Sequence, residues 1–186
     1  PTPTPTPTPI TAGTCISSWG TLGSGPSEFD YPYGIAVNDS GYVYVADRSN
    51  NRIQKFNLSG VYLTEWSTQA YEVAVDSDNN VYVTGNGSSV RKFNSTGTLL
   101  LEWGSVGTGN GQFVGDTVGI AIDSDGNVYV SSDSRVQKFD KSGNFILGWG
   151  SSGTGDGQFR SPYGIGIDSS NNVYVADRQN TRIQKF

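Results

Sequence analysis

The chain has 186 residues, 34% of them hydrophobic, with 25 glycines, which suits one domain of short strands and turns better than one of long helices. A formal charge of −5 with only 12 Lys and Arg argues against binding a phosphate backbone, so no nucleic-acid partner is expected. Histidine is absent and Cys15 is the single cysteine, which removes Ser-His-Asp and Cys-His catalysis, histidine metal sites and an intrachain disulfide. The chain is therefore expected not to be an enzyme and to carry no metal or cofactor.

At the N-terminus Pro1, Thr2, Pro3, Thr4, Pro5, Thr6, Pro7, Thr8 and Pro9 alternate strictly. Proline at every second position blocks helix and sheet pairing and favours polyproline II. Residues 1–12 are expected to be an extended tail or linker that helps copies of the chain assemble. Thr2, Thr4, Thr6 and Thr8 are candidate O-glycosylation sites on it. No apolar run approaches the roughly 20 residues of a membrane helix, so no membrane insertion is expected. Methionine is absent, and the chain reads as a processed product or a segment of something longer, which leaves room for a removed signal. An extracellular or cell-surface location is the expectation.

From residue 13 on, the chain repeats. Each unit holds an apolar alternation (Ile35-Ala36-Val37, Val73-Ala74-Val75, Ile120-Ala121-Ile122, Ile165-Gly166-Ile167) and then a Val-Tyr-Val strand (Val43–Val45, Val81–Val83, Val128–Val130, Val173–Val175). A run ending in Lys-Phe follows (at Phe56, Phe93, Phe139 and Phe186), and Trp19, Trp66, Trp103 and Trp149 mark a fourth segment. Period-2 alternation of β-branched and aromatic residues reads as strand, and the Asn, Asp, Ser and Gly clusters between runs read as turns. Four strands per unit of this length is the arithmetic of a β-propeller blade. The expected fold is all-β, with blades at roughly 34–66, 72–103, 118–149 and 164–186, the last completed by residues 13–20. Ile35, Val37, Val43, Val45 and their equivalents are expected to pack between blades.

These motifs resemble the NHL repeat family. Pro162-Tyr163-Gly164-Ile165, Asn172-Val173-Tyr174-Val175-Ala176-Asp177 and Asn180-Thr181-Arg182-Ile183-Gln184-Lys185-Phe186 follow that repeat nearly end to end, and blade one matches at Pro32–Ile35, Val43–Asp47 and Asn51–Phe56. The resemblance implies a propeller; it does not select a function, because NHL propellers include RNA-binding, protein-binding and lyase members. The amidating lyases lean on metal-binding histidines, which this chain lacks.

The fourth unit stops at Phe186, after its third strand. Residues 13–20 align without gaps to residues 143–150, so Cys15, Ile16, Ser17, Ser18 and Trp19 are expected to form the ring-closing strand, in their own ring or in a neighbour's. Cys15 takes the slot of Phe145 and is expected to be buried.

Other candidates read as structural. Asp47 with Arg52 and Asp177 with Arg182 form interstrand ion pairs, Asp76 and Asp123 cap hairpins, and Lys55, Lys92, Lys138 and Lys185 sit on solvated edges. The glycine-rich loops 107–111 and 153–157 connect blades. Asn38, Asn57, Asn86 and Asn94 head Asn-X-Ser/Thr sequons and are candidate glycosylation sites. Blade two is shortened between Trp66 and Val73, and Glu72 replaces the glycine found at Gly34, Gly119 and Gly164. Tyr71 and Glu72 are expected to border a notch for a partner segment.

Two functions follow as expectations. The first is a non-enzymatic structural or adhesive module that self-associates, with a surface filament as one form of the assembly, and whose partners are other copies of itself, glycans or a cell-surface protein. The second is a glycan- or peptide-binding propeller domain of a larger secreted protein, which requires aromatics gathered at the axis, with Tyr33, Tyr71 and Tyr163 as candidates.

Overall fold

The computed structural model describes residues 13–186. The tail, with its candidate glycosylation and assembly residues, lies outside the described residues. A short parallel pair, β1 (Thr21–Leu22) and β2 (Glu28–Phe29), precedes four antiparallel sheets. Blade one holds β3 (Pro32–Val37), β4 (Tyr42–Asp47), β5 (Arg52–Asn57) and β6 (Tyr62–Ser67). Blade two holds β7 (Val73–Val75), β8 (Val81–Thr84), β9 (Val90–Phe93) and β10 (Leu99–Trp103). Blade three holds β11 (Ile120–Ile122), β12 (Val128–Ser132), β13 (Arg135–Phe139) and β14 (Phe145–Trp149). Blade four has three strands, β15 (Pro162–Ile167), β16 (Val173–Asp177) and β17 (Arg182–Lys185). Every blade is a meander in chain order, as short hairpin connections dictate.

The hairpin turns are set by side chains. Asp168 Oδ1 accepts the N–H of Ser170 and of Asn172, both at 2.9 Å, and Oδ2 accepts the Tyr174 hydroxyl at 3.0 Å. Asp76 and Asp123 do the same for their hairpins. The Asn172 side chain, with its backbone N–H, holds the Asp168 carboxyl down at about 2. These aspartates are caps, as the sequence implied.

Blades pack face to face. Tyr44, Ala46 and Ile53 of blade one meet Val73, Val81, Val83 and Phe93 of blade two. Tyr82 and Val90 meet Ile120, Val128, Val130 and Phe139 in the same way, and Tyr129 and Val136 meet Val173 and Val175. The outer-strand tryptophan of each blade lies on the phenylalanine that ends the third run of the next. Ring centroids are 5.8 Å apart for Trp66–Phe93, 5.9 Å for Trp103–Phe139 and 5.5 Å for Trp149–Phe186. Gly97 is required at one such contact, because a Cβ there would lie 2.7 Å from the Trp66 ring and its φ is +89°.

Residues 13–20 do not complete blade four. Residues 14–20 pair with no strand, and the outer edge of β17 is bare. Trp19 instead packs on Phe56 at 6.1 Å, in the slot that a preceding blade's tryptophan would fill, which ties residues 13–20 to blade one. Cys15 is exposed rather than buried, because no sheet receives it. Ile35 and Val37 are likewise 63% and 60% exposed, although Val43 and Val45 beside them are buried. The glycine just ahead of an inner strand's apolar alternation reports the same asymmetry. A Cβ on Gly119 would come within 1.9 Å of the Tyr163 carbonyl oxygen, whereas one on Gly164 would meet nothing. The four blades form an arc in which apolar clusters join successive blades, while blades one and four meet at Tyr33 and Tyr163.

Gly119→Ala is therefore expected to destabilise the fold by about 1–3 kcal/mol through overpacking, and Gly164→Ala to change it by less than about 0.5 kcal/mol. Thermal denaturation of the two variants checks this.

Candidate functional site at the axial end

The inner strands begin at one end of the arc with Pro32-Tyr33-Gly34 and Pro162-Tyr163-Gly164, and blade two supplies Ala70-Tyr71-Glu72 just ahead of β7. These starts face the axis, so three tyrosines from three blades converge. The Tyr33 hydroxyl donates to that of Tyr163, from blade one to blade four. Ring centroids are 6.0 Å apart for Tyr33–Tyr71 and 6.1 Å for Tyr33–Tyr163. The axial aromatics expected from the sequence are brought together.

Two arginines cap them. Arg48 follows β4 directly, stands 4.4 Å over the Tyr71 ring and 5.5 Å from that of Tyr33, and donates to the Tyr71 hydroxyl at 3.4 Å. Arg178, at the equivalent position after β16, lies 5.2 Å over Tyr163. Such contacts are worth about 0.5–2 kcal/mol each, depending on exposure. The Tyr71 hydroxyl also donates to Asn86 Oδ1 and, at 3.3 Å, to Asp116 Oδ2. Burial raises the Glu72 carboxyl above its usual range, and the Val73 N–H partly offsets that. Tyr33 is pushed up to about 12, first by burial and then by its bond to Tyr163, with the Glu72 charge adding to it.

The shortened loop of blade two opens the site on one side. Blades one, three and four carry an Arg-x-Gln run at the start of the third strand that ties down the preceding connection. Arg52 donates to the carbonyls of Ser24, Gly25 and Glu28 at 2.7–2.8 Å, and Gln54 Nε2 donates to Glu28 O at 2.7 Å. Arg135 with Gln137 and Arg182 with Gln184 hold loops 108–112 and 155–158 the same way. Blade two has Ser89-Val90-Arg91 and no such loop. A cleft of about 270 Å³ lies there, lined by Arg48, Ser49, Asn51, Gln69, Tyr71 and Asn86. Of the two notch residues, Tyr71 lines this cleft, while Glu72 lies inward, beside Gly34.

The remaining candidates do not join this site. Asp47 and Arg52 pair at 2.8 Å and Asp177 and Arg182 at 3.0 Å, both in the loop clamps. Asn38, Asn57 and Asn94 accept backbone N–H groups through Oδ1 as turn caps, so they share a structural role and not a surface. Lys92, Lys138 and Lys185 lie 4.9, 4.9 and 5.2 Å over Tyr82, Tyr129 and Tyr174, and Lys55 lies 3.9 Å over Tyr42 and is only 8% exposed. Lys55 is buried and Lys92 and Lys138 are half-buried, part of the sheet packing rather than solvated edges, whereas Lys185 is exposed on β17 as expected. Arg48, Arg178 and Asp116 were not foreseen. The repeat offered a signal for the arginines: Asp47-Arg48 and Asp177-Arg178 occur at matching positions, and blade two breaks the pattern with Gly85-Asn86.

The NHL repeat family matches residues 29–56 and 159–186, and a beta-propeller repeat family matches residues 64–90. E3 ubiquitin-protein ligase TRIM71 of Rattus norvegicus is 42% identical over 53 residues, 28% of this chain and 6% of that protein. NHL repeat-containing protein 3 of Homo sapiens is 41% identical over 49 residues, 26% of this chain and 14% of that protein. Among solved structures, a streptogramin B lyase superposes with TM-score 0.64 at 18% identity, covering 83% of this chain and 54% of the lyase. Virginiamycin B lyase from Staphylococcus aureus gives 0.62 at 20% identity, covering 83% of this chain and 55% of that one. The chain thus spans a small fraction of its sequence relatives and about half of the propellers it resembles in fold.

A phenol whose folded-state ionisation lies above the unfolded value of 10.0 adds stability that is present below pH 10 and is lost as pH rises through about 12. Ultraviolet titration is expected to show a phenolate appearing near pH 12 that is missing in Tyr33→Phe. That variant is also expected to lose less stability than the parent between these two pH values.

Proposed function

From a chain whose NHL repeats fold into propeller blades, we propose a non-enzymatic recognition module that binds a glycan or peptide at the axial end. One observation carries this reading: Tyr33, Tyr71 and Tyr163, from three blades, meet under Arg48 and Arg178 beside an open cleft. Aromatic faces supply apolar contact area, while the guanidinium groups, Asn86 and Asp116 supply directional hydrogen bonds at its edge, the composition of a small-ligand site. The absence of histidine supports binding rather than catalysis. A self-associating filament rests on the tail, which the structure does not describe, so the axial site is the better supported reading.

Glycan and peptide arrays probed with the parent chain and with Arg48→Ala test the proposal. A defined subset of ligands is expected to be retained by the parent and weakened about tenfold or more in the variant, the loss of roughly 1.4 kcal/mol. Retention of nothing, or equal retention by both proteins, overturns it.

A further inference from the structure

Asn86-Gly87 and Asn110-Gly111 are the two Asn-Gly steps in the chain. At such a step the glycine nitrogen can attack the asparagine side-chain carbonyl, because no Cβ crowds the approach, and asparagine is a thermolabile residue. The surroundings of the two steps differ. Tyr71 donates its hydroxyl to Asn86 Oδ1, and the Gly87 N–H donates to Asp116 Oδ1 at 3.1 Å. Arg48 in turn donates to the Tyr71 hydroxyl at 3.4 Å. Gly87 has a φ of +106° and a Cβ there would meet nothing, so the segment is uncrowded, and Asn86 is exposed to water. At the second step the Gly111 N–H donates at 2.9 Å to Oε1 of Gln137, a buried neutral amide that is no base.

We propose that Asn86 is a self-deamidation site, with Asp116 as the base and Tyr71 as the donor that steadies the oxyanion. The Gly87 nitrogen forms a bond to Asn86 Cγ and passes its proton to the Asp116 carboxylate. The carbonyl electron pair moves onto Oδ1, where the Tyr71 hydroxyl stabilises the charge. When the pair returns, the Cγ–Nδ2 bond breaks, Asp116 gives the proton to the leaving nitrogen, and ammonia departs into solvent. The product is a five-membered succinimide. Water then opens it at either carbonyl and leaves aspartate or isoaspartate at position 86. One water is consumed and one ammonia released, and no oxidant or reductant enters.

The step changes the cleft that Asn86 lines with Arg48 and Tyr71. A neutral amide becomes a carboxylate that competes for the Tyr71 hydroxyl with Asp116, whose Oδ2 already lies 3.3 Å from it. Like charges around one donor repel, so the hydroxyl network is rearranged at the mouth of the cleft. Asn86 also heads the sequon Asn86-Gly87-Ser88, and a glycan on Nδ2 would occupy the leaving nitrogen, so the two modifications exclude each other. This inference is independent of the axial ligand, since it needs only Tyr71, Asn86, Gly87 and Asp116.

The test is a deamidation time course on the unglycosylated chain at mildly alkaline pH, native and in guanidinium chloride, read by peptide mass mapping and an isoaspartate assay. In denaturant the two Asn-Gly steps are expected to react at similar rates. In the native chain Asn86 is expected to react about tenfold or more faster than in denaturant, since a positioned base contributes roughly 10²–10⁴-fold. Asn110 is expected to react more slowly than in denaturant. Asp116→Asn and Tyr71→Phe are each expected to slow Asn86 by about tenfold or more. The slow rate at Asn110 is expected to persist in both variants, which loss of the fold would not allow. A native rate at Asn86 equal to or below its rate in denaturant overturns the proposal, and so does a native rate that Asp116→Asn leaves unmoved.

Discussion

A four-stranded blade is apolar on both faces, and no blade in this chain can satisfy both by itself. The contact that resolves this is the stacking of one blade's tyrosine, alanine or threonine and β-branched residue on the valines and phenylalanine of the next. Tyr44, Tyr82 and Tyr129 each pack in this way and each meet a tryptophan of their own blade edge-on, with centroids 6.2 Å apart. The hydroxyls of Tyr82 and Tyr129 reach the aspartate that caps their own hairpin. One side chain thereby fixes the blade spacing, the turn and the outer strand together. The position of the axial site depends on it, since Tyr33, Tyr71 and Tyr163 can converge only if the inner strands are held at regular intervals.

Most of the fold was legible because the repeat states the same pattern several times. The Val-Tyr-Val strands, the Asp-capped turns and Trp66, Trp103 and Trp149 occupy the expected strands, turns and edges. The ring's closure was not legible. Sequence alignment correctly matched residues 13–20 to an outer strand, but alignment carries no information about which sheet receives it. Its destination is set by contacts, and the contact made is Trp19 on Phe56. The exposure of Ile35, Val37 and Cys15 follows from that one fact, and composition gives no hint of it.

The axial site was half legible. The three tyrosines stand at the strand starts that point to the axis, so topology sufficed to find them. Arg48 and Arg178 were harder, because an arginine after a buried aspartate reads as one more surface charge until its stacking partner is known. Lys55, Lys92 and Lys138 misled in the same way, since long basic side chains lie along aromatic rings and bury their stems.

The missing clamp of blade two has a mechanical consequence. Blades one, three and four have their rims pinned to the preceding connection by a guanidinium and a buried glutamine, while Arg91 in blade two makes longer contacts, to Thr68 at 3.2 Å and Gln69 at 3.5 Å. The apolar core of that junction is intact, so the inner strands stay in place. The rim of this junction is held by Arg91 alone, without the buried glutamine of the other blades. That rim is the mouth of the cleft beside Tyr71, so the least pinned edge of the arc is also the edge that a ligand of the cleft would touch.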